Sequence, residues 1–361
     1  MLRAGLIGFP GSGKTSLFQL LTSARDAPRP AGKAEANVGV SRVPDERLDR
    51  LTALFNPKKR VPATVEFADI AGTAGRTGAQ ALLDVAAFRN ADALLHVVRM
   101  FRDPAVAHPA GSVDAARDVR TMEDELILAD LGVVERRLER LERDLKKGSN
   151  AELRKEQELL GVCRSALEEG RPLRALALGA EDQKRLRGFQ FLSAKPLLLV
   201  LNLDEAELPQ ADEAAKLAGI EGFLAGAATR AVPICAKIEL EIAQLEASDA
   251  AAFMADLGLR ESGLDRVIRA SYDLLGYISF FTVGEDECRA WSIPRDTSAV
   301  LAAGEIHSDI SRGFIRAEVV RYESLLARGS LAACRDRGEL RLEGKDYTVL
   351  DGDVINFRHA T

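Results

Sequence analysis

One eight-residue segment near the start of the chain limits the possible folds more than any other feature. The segment GFPGSGKT, at residues 8–15, matches the pattern GxxxxGK[ST] at every defined position. A short apolar run precedes it, and residues 15–22 then carry apolar side chains at helical spacing. A glycine-rich turn between a strand and a helix lets backbone N–H groups surround phosphate oxygens. The segment therefore predicts a P-loop that binds ATP or GTP.

The residue types in this loop also predict separate roles. Lys14 is expected to reach the β- and γ-phosphates and to assist catalysis, and the Thr15 hydroxyl is expected to ligate Mg²⁺. The other positions expected to bind the nucleotide here are Gly8, Gly11, Ser12, Gly13 and Ser16.

Two further segments fit such a site. Asp69 and Gly72 belong to a DIAG sequence at the end of a predicted strand, where the carboxylate can hold Mg²⁺ and the glycine N–H can contact the γ-phosphate. This placement favours a GTPase-type domain over a kinase. The second segment, Asn202 to Glu205, follows the apolar run 196–201, where GTPases read the base with NKxD.

The expected choice of base follows from how that motif is altered. Leu203 replaces the lysine and Glu205 replaces the aspartate that would accept hydrogen bonds from guanine. We therefore expect ATP to bind at least as tightly as GTP. A later loop containing Cys235 and Ala236 is expected to lie at the edge of the base.

Alternating strands and helices predict an α/β fold with a largely parallel sheet. Strands are expected at 2–7, 64–68, 93–98 and 196–201, with a helix at 82–89. His96 lies inside one of these strands, and we expect it to be a core residue with its hydrogen bonds satisfied.

The next region predicts an antiparallel helical hairpin. Apolar residues spaced by three and four run from Ile127 to Leu145, residues 146–150 form a turn, and a return helix carries residues from Leu153 to Leu167. Basic side chains from Arg136 to Lys147 are interleaved with acidic ones, which is typical of a solvated face.

From Tyr277 onward, short strands alternate with turns. They are expected at 279–283, 288–293, 314–320, 341–342, 347–350 and 354–357. We therefore predict a P-loop domain at 1–112 and 193–276, a coiled-coil insertion at 113–192 and a C-terminal domain at 277–361.

The bulk properties exclude several classes. The net charge of −6 gives no overall cationic field for sequence-specific DNA, and four widely spaced cysteines favour reduced thiols over disulfides or structural zinc. No stretch approaches eighteen apolar residues, so we expect a cytoplasmic protein without a membrane partner.

Several longer stretches now allow a comparison with a known family. They include VPATVEFADIAG at 61–72, KPLLLVLNLDE at 195–205 and AGEIHSDISRGFIRAEVV at 303–320. The chain resembles the YchF group of Obg-related P-loop NTPases, also called Obg-like ATPases. The resemblance implies ATP preference, a C-terminal TGS domain with a ubiquitin-like β-grasp fold, and the ribosome or ribosomal RNA as partner.

The resemblance also implies a role for His108, which the family is proposed to use to orient the attacking water. An exposed loop histidine without a role is the alternative. Three segments depart from the family pattern. Gly11 replaces an asparagine associated with a monovalent cation, residues 28–37 lack the Mg-binding threonine, and the stretch after DIAG is shorter.

Two functions therefore remain open. The first is a slow Mg-dependent ATPase, with GTP as a possible second substrate, that acts as a switch around translation. The second is a nucleotide-binding scaffold that hydrolyses little and contacts its partner through the coiled coil and the TGS domain.

Overall fold

The computed structural model describes residues 3–22, 37–69, 85–148, 150–226 and 228–360. The chain forms two compact units. Residues 2–40 and 66–274 form one unit, and residues 41–65 and 275–361 form the other. The segment 41–65, assigned from sequence to the P-loop domain, thus groups with the C-terminal residues. The predicted domain boundaries stay a prediction.

The sheet of the first unit contains six strands. They are β1 (Arg3–Ile7), β2 (Asn37–Arg42), β4 (Thr64–Asp69), β5 (Ala93–Arg99), β6 (Leu197–Asn202) and β7 (Thr229–Ile234), in the order β2-β4-β1-β5-β6-β7. From β4 to β7 every neighbouring pair is parallel. All residues of β5 and β6 are buried, which explains their continuous apolar runs.

Helices follow most of these strands. They are α1 (Lys14–Thr22), α3 (Ala115–Lys147), α4 (Ala151–Glu168), α5 (Ala180–Leu186), α6 (Ala214–Leu217), α7 (Ala236–Ile242), α8 (Ala247–Asp256) and α9 (Gly263–Leu274). Short 3₁₀ segments lie at Val85–Asn90, Leu173–Ala175, Arg187–Phe189, Glu205–Glu213 and Glu221–Leu224. The first of these is the described part of the helix expected at 82–89. None of the helices in the described ranges is both long and apolar enough to span a bilayer.

The helical hairpin grows out of the α/β core. The first turns of α3 bury Val119, Met122 and Leu126 in the same cluster as residues of β5 and β6. Further along, Val134 and Leu141 pack with Leu160 and Cys163 of α4, as the heptad spacing predicts. Asn150 caps α4 by accepting hydrogen bonds from the N–H groups of residues 152 and 153.

The second unit contains a mixed sheet with helices packed on it. Its strands are β3 (Lys59–Val61), β8 (Tyr277–Thr282), β9 (Glu287–Pro294), β10 (Phe314–Arg321), β11 (Arg341–Glu343) and β12 (Asp353–His359), in the order β11-β10-β12-β8-β9-β3. Its helices are α2 (Glu46–Phe55), α10 (Ala299–Ile306), α11 (Ser308–Arg312), α12 (Tyr322–Arg328) and α13 (Leu331–Asp336). The core includes Phe280, Ile293 and Val319.

One expected strand of this unit is wrong. Residues 347–350 make only a single bridge, between Thr348 and Ser298. The backbone turns around Asp353 instead, whose carboxylate accepts from the Tyr347 hydroxyl at 2.8 Å and from the Leu350 N–H at 2.9 Å.

Candidate nucleotide-binding site

The P-loop occupies the turn between β1 and α1. Gly8, Gly11 and Gly13 all adopt positive φ angles, of 147°, 73° and 97°. At Gly13 an added Cβ would lie 2.3 Å from the side-chain nitrogen of Asn202, so no other residue fits without displacing it. The backbone therefore has the shape that the GxxxxGK[ST] pattern predicts.

Lys14 folds back over this loop. Its Nζ donates to the carbonyl oxygens of Gly8, at 2.7 Å, and of Phe9, at 2.8 Å. Burial lowers the pKa of Lys14 to about 8, although the charge of Asp69 opposes that shift. Burial likewise raises the pKa of Asp69, although Lys14 opposes it. Both ionised groups are thus poorly solvated, and the counter-charges of a nucleotide and a cation would stabilise them.

The expected metal ligands lie near the same loop. Thr15 is exposed in the first turn of α1, and Asp69 ends β4 with 9% of its surface exposed. The described residues contain no cluster of three His, Cys, Asp or Glu side chains suited to a metal. Thr15 and Asp69 each offer an oxygen donor, the kind of ligand that Mg²⁺ prefers.

The other loop positions differ in exposure. Ser16 is half-buried, and Ser12 is buried with its Oγ lacking a hydrogen-bond partner among the described residues. Gly72 and the stretch after DIAG lie outside the described residues, as does most of the segment 28–37.

Asn202 joins the P-loop to the loop that follows β7. Its Nδ2 donates to the Ser12 carbonyl at 3.0 Å, and its Oδ1 accepts from the Ala236 N–H at 3.0 Å. The side chain is 3% exposed, so water cannot replace either bond. The carboxyl ends of β1, β6 and β7 are thereby held together, which is where α/β sheets bind ligands.

The positions expected to lie near the base differ in burial. Leu203 is buried, and its N–H donates to the Ile234 carbonyl at 2.7 Å. Cys235 and Ala236 are also buried, and burial raises the pKa of the Cys235 thiol. The Glu205 carboxylate is exposed and lies 3.6 Å from Lys237.

His108 does not meet Lys14 or Asp69 in the described part of the chain. Its side chain is only 4% exposed, contrary to the exposed-loop alternative, and its Nε2 lies 2.9 Å from Asp118 Oδ2. Its Nδ1 accepts a hydrogen bond from the Ala110 N–H at 3.1 Å. The ring lies near Phe9 of the P-loop, with ring centroids 6.2 Å apart.

Arg99 organises the loop that carries His108, and sequence reasoning did not single it out. This buried guanidinium donates to the carbonyls of Phe101, Asp103 and Val106, at 3.2, 3.1 and 2.9 Å. An arginine that ends a buried strand, in HVVRMF, was the available signal.

His96 is a core residue, as expected, but its hydrogen bonds are not satisfied. Neither ring nitrogen has a partner among the described residues, and only 1% of the residue is exposed. Burial, with a smaller contribution from the charge of Lys14, lowers the pKa of His96 to about 3. The ring is therefore neutral at physiological pH.

A P-loop between a central parallel strand and a helix, with a half-buried lysine and a strand-end asparagine, defines the P-loop NTPases of the GTPase type. Residues 3–153 match a family model described as a 50S ribosome-binding GTPase, and residues 277–360 match one for the YchF-GTPase C-terminal domain, described as a protein of unknown function.

Relatives match along the whole chain. The ribosome-binding ATPase YchF of Bacillus subtilis is 43% identical, with 99% of both proteins covered. Its namesake in Escherichia coli O157:H7 is 39% identical, with 98% of both covered. The solved structure of the Schizosaccharomyces pombe YchF GTPase is 28% identical, with a TM-score of 0.86 over 99% of this chain and 97% of that one. The chain belongs to the YchF family.

Proposed function

We propose that this chain is a Mg-dependent ATPase that acts as a nucleotide-controlled switch on the ribosome, in the cytoplasm. The observation that carries this proposal is the shape of the P-loop, over which the half-buried Lys14 folds, with the buried Asp69 at the end of the strand β4 beside β1. Burial lowers the pKa of Lys14 and raises the pKa of Asp69, which disfavours the charged form of both groups, although the charge of each opposes the shift in the other. Phosphate and cation charges would stabilise the charged forms of both groups.

The proposed mechanism depends on positioning and electrostatics. Lys14 and the N–H groups of the glycine-rich loop would bind the phosphates. Thr15 and Asp69 would hold Mg²⁺, which supplies charge neutralisation at the phosphates when bound. His108 would orient the attacking water, which requires a nitrogen within hydrogen-bond reach of that water.

ATP is the proposed nucleotide because the carboxylate at the guanine-reading position differs from the aspartate of NKxD in two ways. Glu205 is one methylene longer than aspartate, and Lys237 lies 3.6 Å from its carboxylate. The names of the relatives differ on this point, since two are called ATPases and one a GTPase. Competition of ATP and GTP against a fluorescent analogue decides between them, and a strong preference for GTP would contradict the proposal.

Hydrolysis is tested by measuring phosphate release from ATP by the purified protein. Lys14→Ala should abolish release above background, while Lys195→Ala, at another half-buried lysine, serves as the matched control. His108→Ala should lower the rate by ~10-fold or more, the usual scale for loss of a general acid–base group being ~10²–10⁴. Release from the parent protein no faster than from Lys14→Ala would remove the ATPase proposal.

The scaffold alternative is favoured by one specific observation. Both ring nitrogens of His108 already have partners, Asp118 and Ala110. Tight ATP binding without phosphate release, alone and with ribosomes present, would support this alternative.

The ribosome is proposed as the partner because relatives at 39–43% identity are named ribosome-binding ATPases. Co-sedimentation with 70S ribosomes, without nucleotide and with ATP, tests this. A pelleted fraction that does not exceed the ribosome-free control in either state would contradict it.

A further inference from the structure

A buried carboxylate holds His108 in place. Asp118, in the first two turns of α3, accepts a hydrogen bond from His108 Nε2 on Oδ2, at 2.9 Å. Its other oxygen, Oδ1, accepts from Arg117 Nε at 3.0 Å and Nη2 at 2.8 Å. The side chains of His108 and Asp118 are 4% and 3% exposed, so water does not compete for the bond between them.

Two neighbours independently assign the same tautomer to His108. A carboxylate paired with the Arg117 guanidinium only accepts hydrogen bonds, so the proton between it and His108 lies on Nε2. A backbone N–H only donates, so Nδ1, which lies 3.1 Å from the Ala110 nitrogen, carries a lone pair. The ring is therefore held with its basic nitrogen, Nδ1, on the side away from Asp118.

We infer that Asp118 is the positioning residue for His108: it fixes the proton on Nε2 and leaves Nδ1 as the nitrogen that accepts from the attacking water. This inference rests on the role of His108 in the proposed hydrolysis. The water would replace the Ala110 N–H. The hydrogen bond from the Ala110 N–H to Nδ1 is neutral and therefore weaker than the charge-assisted bond to Asp118. It is the first of the two to break, and His108 stays hydrogen-bonded to Asp118.

The principal test compares single and double variants by phosphate release from ATP. Asp118→Ala should lower kcat by nearly as much as His108→Ala, ~10-fold or more. The double variant should lose no more than His108→Ala alone, because both changes remove one function. The affinity for ATP should stay within about twofold in all three variants, since neither residue is proposed to bind the nucleotide.

Asp114→Ala is the matched control. Asp114 lies four residues earlier, carries the same charge and caps α3 by accepting from the Arg117 N–H at 3.0 Å. Its loss weakens the start of the helix without removing the partner of His108, so kcat of the folded protein should not change. If Asp118 had only a structural role, the folded Asp118→Ala protein would keep its kcat, as the folded Asp114→Ala protein should.

Asp118→Asn separates position from folding and tests the tautomer directly. An asparagine amide can either accept from or donate to Nε2, so it no longer fixes the proton. The ¹⁵N spectrum of the imidazoles should show only the Nε2–H tautomer of His108 in the parent protein and a mixture in Asp118→Asn. The pH profile of kcat should change in this variant, and kcat should fall.

Each outcome is decisive. Loss of activity in His108→Ala together with an unchanged or faster rate in Asp118→Ala would overturn the positioning role and leave the proposed function intact. An unchanged rate in His108→Ala, with release still faster than from Lys14→Ala, would overturn the positioning role of Asp118 and the proposed role of His108, and the ATPase proposal would stand. A protonated Nδ1 in the parent protein would overturn the assigned tautomer. If Asp118→Ala does not fold, Asp118→Asn gives the same decisions.

Discussion

The affinity of this protein for ATP should fall as the pH rises above 8, because Lys14 titrates there in the free protein. Burial lowers the pKa of Lys14 from 10.5 to about 8. A triphosphate beside the ammonium group favours its charged form, so the pKa should rise again in the complex. Above pH 8 the free protein has lost this proton and the complex retains it. Binding must then take up a proton, and the affinity decreases with pH.

The size of the effect follows from the same pKa. With a value of about 8, ATP binding should take up ~0.1 proton at pH 7, ~0.5 at pH 8 and ~0.9 at pH 9. The dissociation constant should be roughly tenfold higher at pH 9 than at pH 7. A lysine that kept the ordinary pKa of 10.5 would change the dissociation constant by only ~3% over that interval.

Calorimetric titration in two buffers of different ionisation enthalpy measures the proton uptake. Lys14→Arg is the control, because a guanidinium stays charged and should remove the uptake. Asp69→Asn is a second perturbation. The charge of Asp69 raises the pKa of Lys14, so its removal should shift the uptake to lower pH. Uptake near zero at pH 9 in the parent protein would refute the reasoning.

Three further predictions test other contacts of the site. Burial lowers the pKa of His96 from 6.5 to about 3, so this residue lowers the stability of the folded protein as the pH falls through that window. His96→Leu should therefore remove a destabilisation of roughly 1.4 kcal/mol per pH unit below 6.5. Denaturation at pH 7 and pH 5 measures this, and equal pH dependence in the parent protein and the variant would contradict it. Asn202→Ala should lower the free energy of unfolding by about 2–4 kcal/mol, because the Ser12 carbonyl and the Ala236 N–H lose their partner; a loss below ~0.5 kcal/mol in urea denaturation would be inconsistent with this. Gly11→Ala should lower the free energy of unfolding by about 1–3 kcal/mol, because the new Cβ would lie 2.8 Å from Val106 Cγ1. Adding Val106→Ala should recover part of that loss. If the effects of the two substitutions on the free energy of unfolding are strictly additive, the contact is contradicted.

The sequence predicts the parts of the fold that are continuous and fully buried. The strands β5 and β6 are apolar at nearly every position, and every residue in them is buried. In β7, TRAVPI, buried and less buried residues alternate at the edge of the sheet, and the proline and arginine obscure a strand pattern. The three residues of β3 are largely exposed, so no hydrophobic period marks them.

The same distinction holds for the site. The P-loop is predictable because one backbone segment supplies most of its chemistry in consecutive residues. The partners of His108 are not, since an acidic residue near the start of a helix is common for reasons of the helix dipole alone. Only the fold of residues 100–118 shows that Asp118 faces the ring at 2.9 Å rather than solvent.

The P-loop and the loop that carries His108 lie close together at Gly11. The resemblance to the family would place an asparagine there, but Val106 occupies the adjacent space and a Cβ would meet it at 2.8 Å. Arg99 holds Val106 in that position through the carbonyl bond at 2.9 Å. A residue with a Cβ at position 11 would therefore have to displace Val106 and to adopt the positive φ of 73° that Gly11 has. The loop that carries His108 therefore limits which residue fits at position 11 of the P-loop, even though His108 itself touches neither Lys14 nor Asp69 among the described residues.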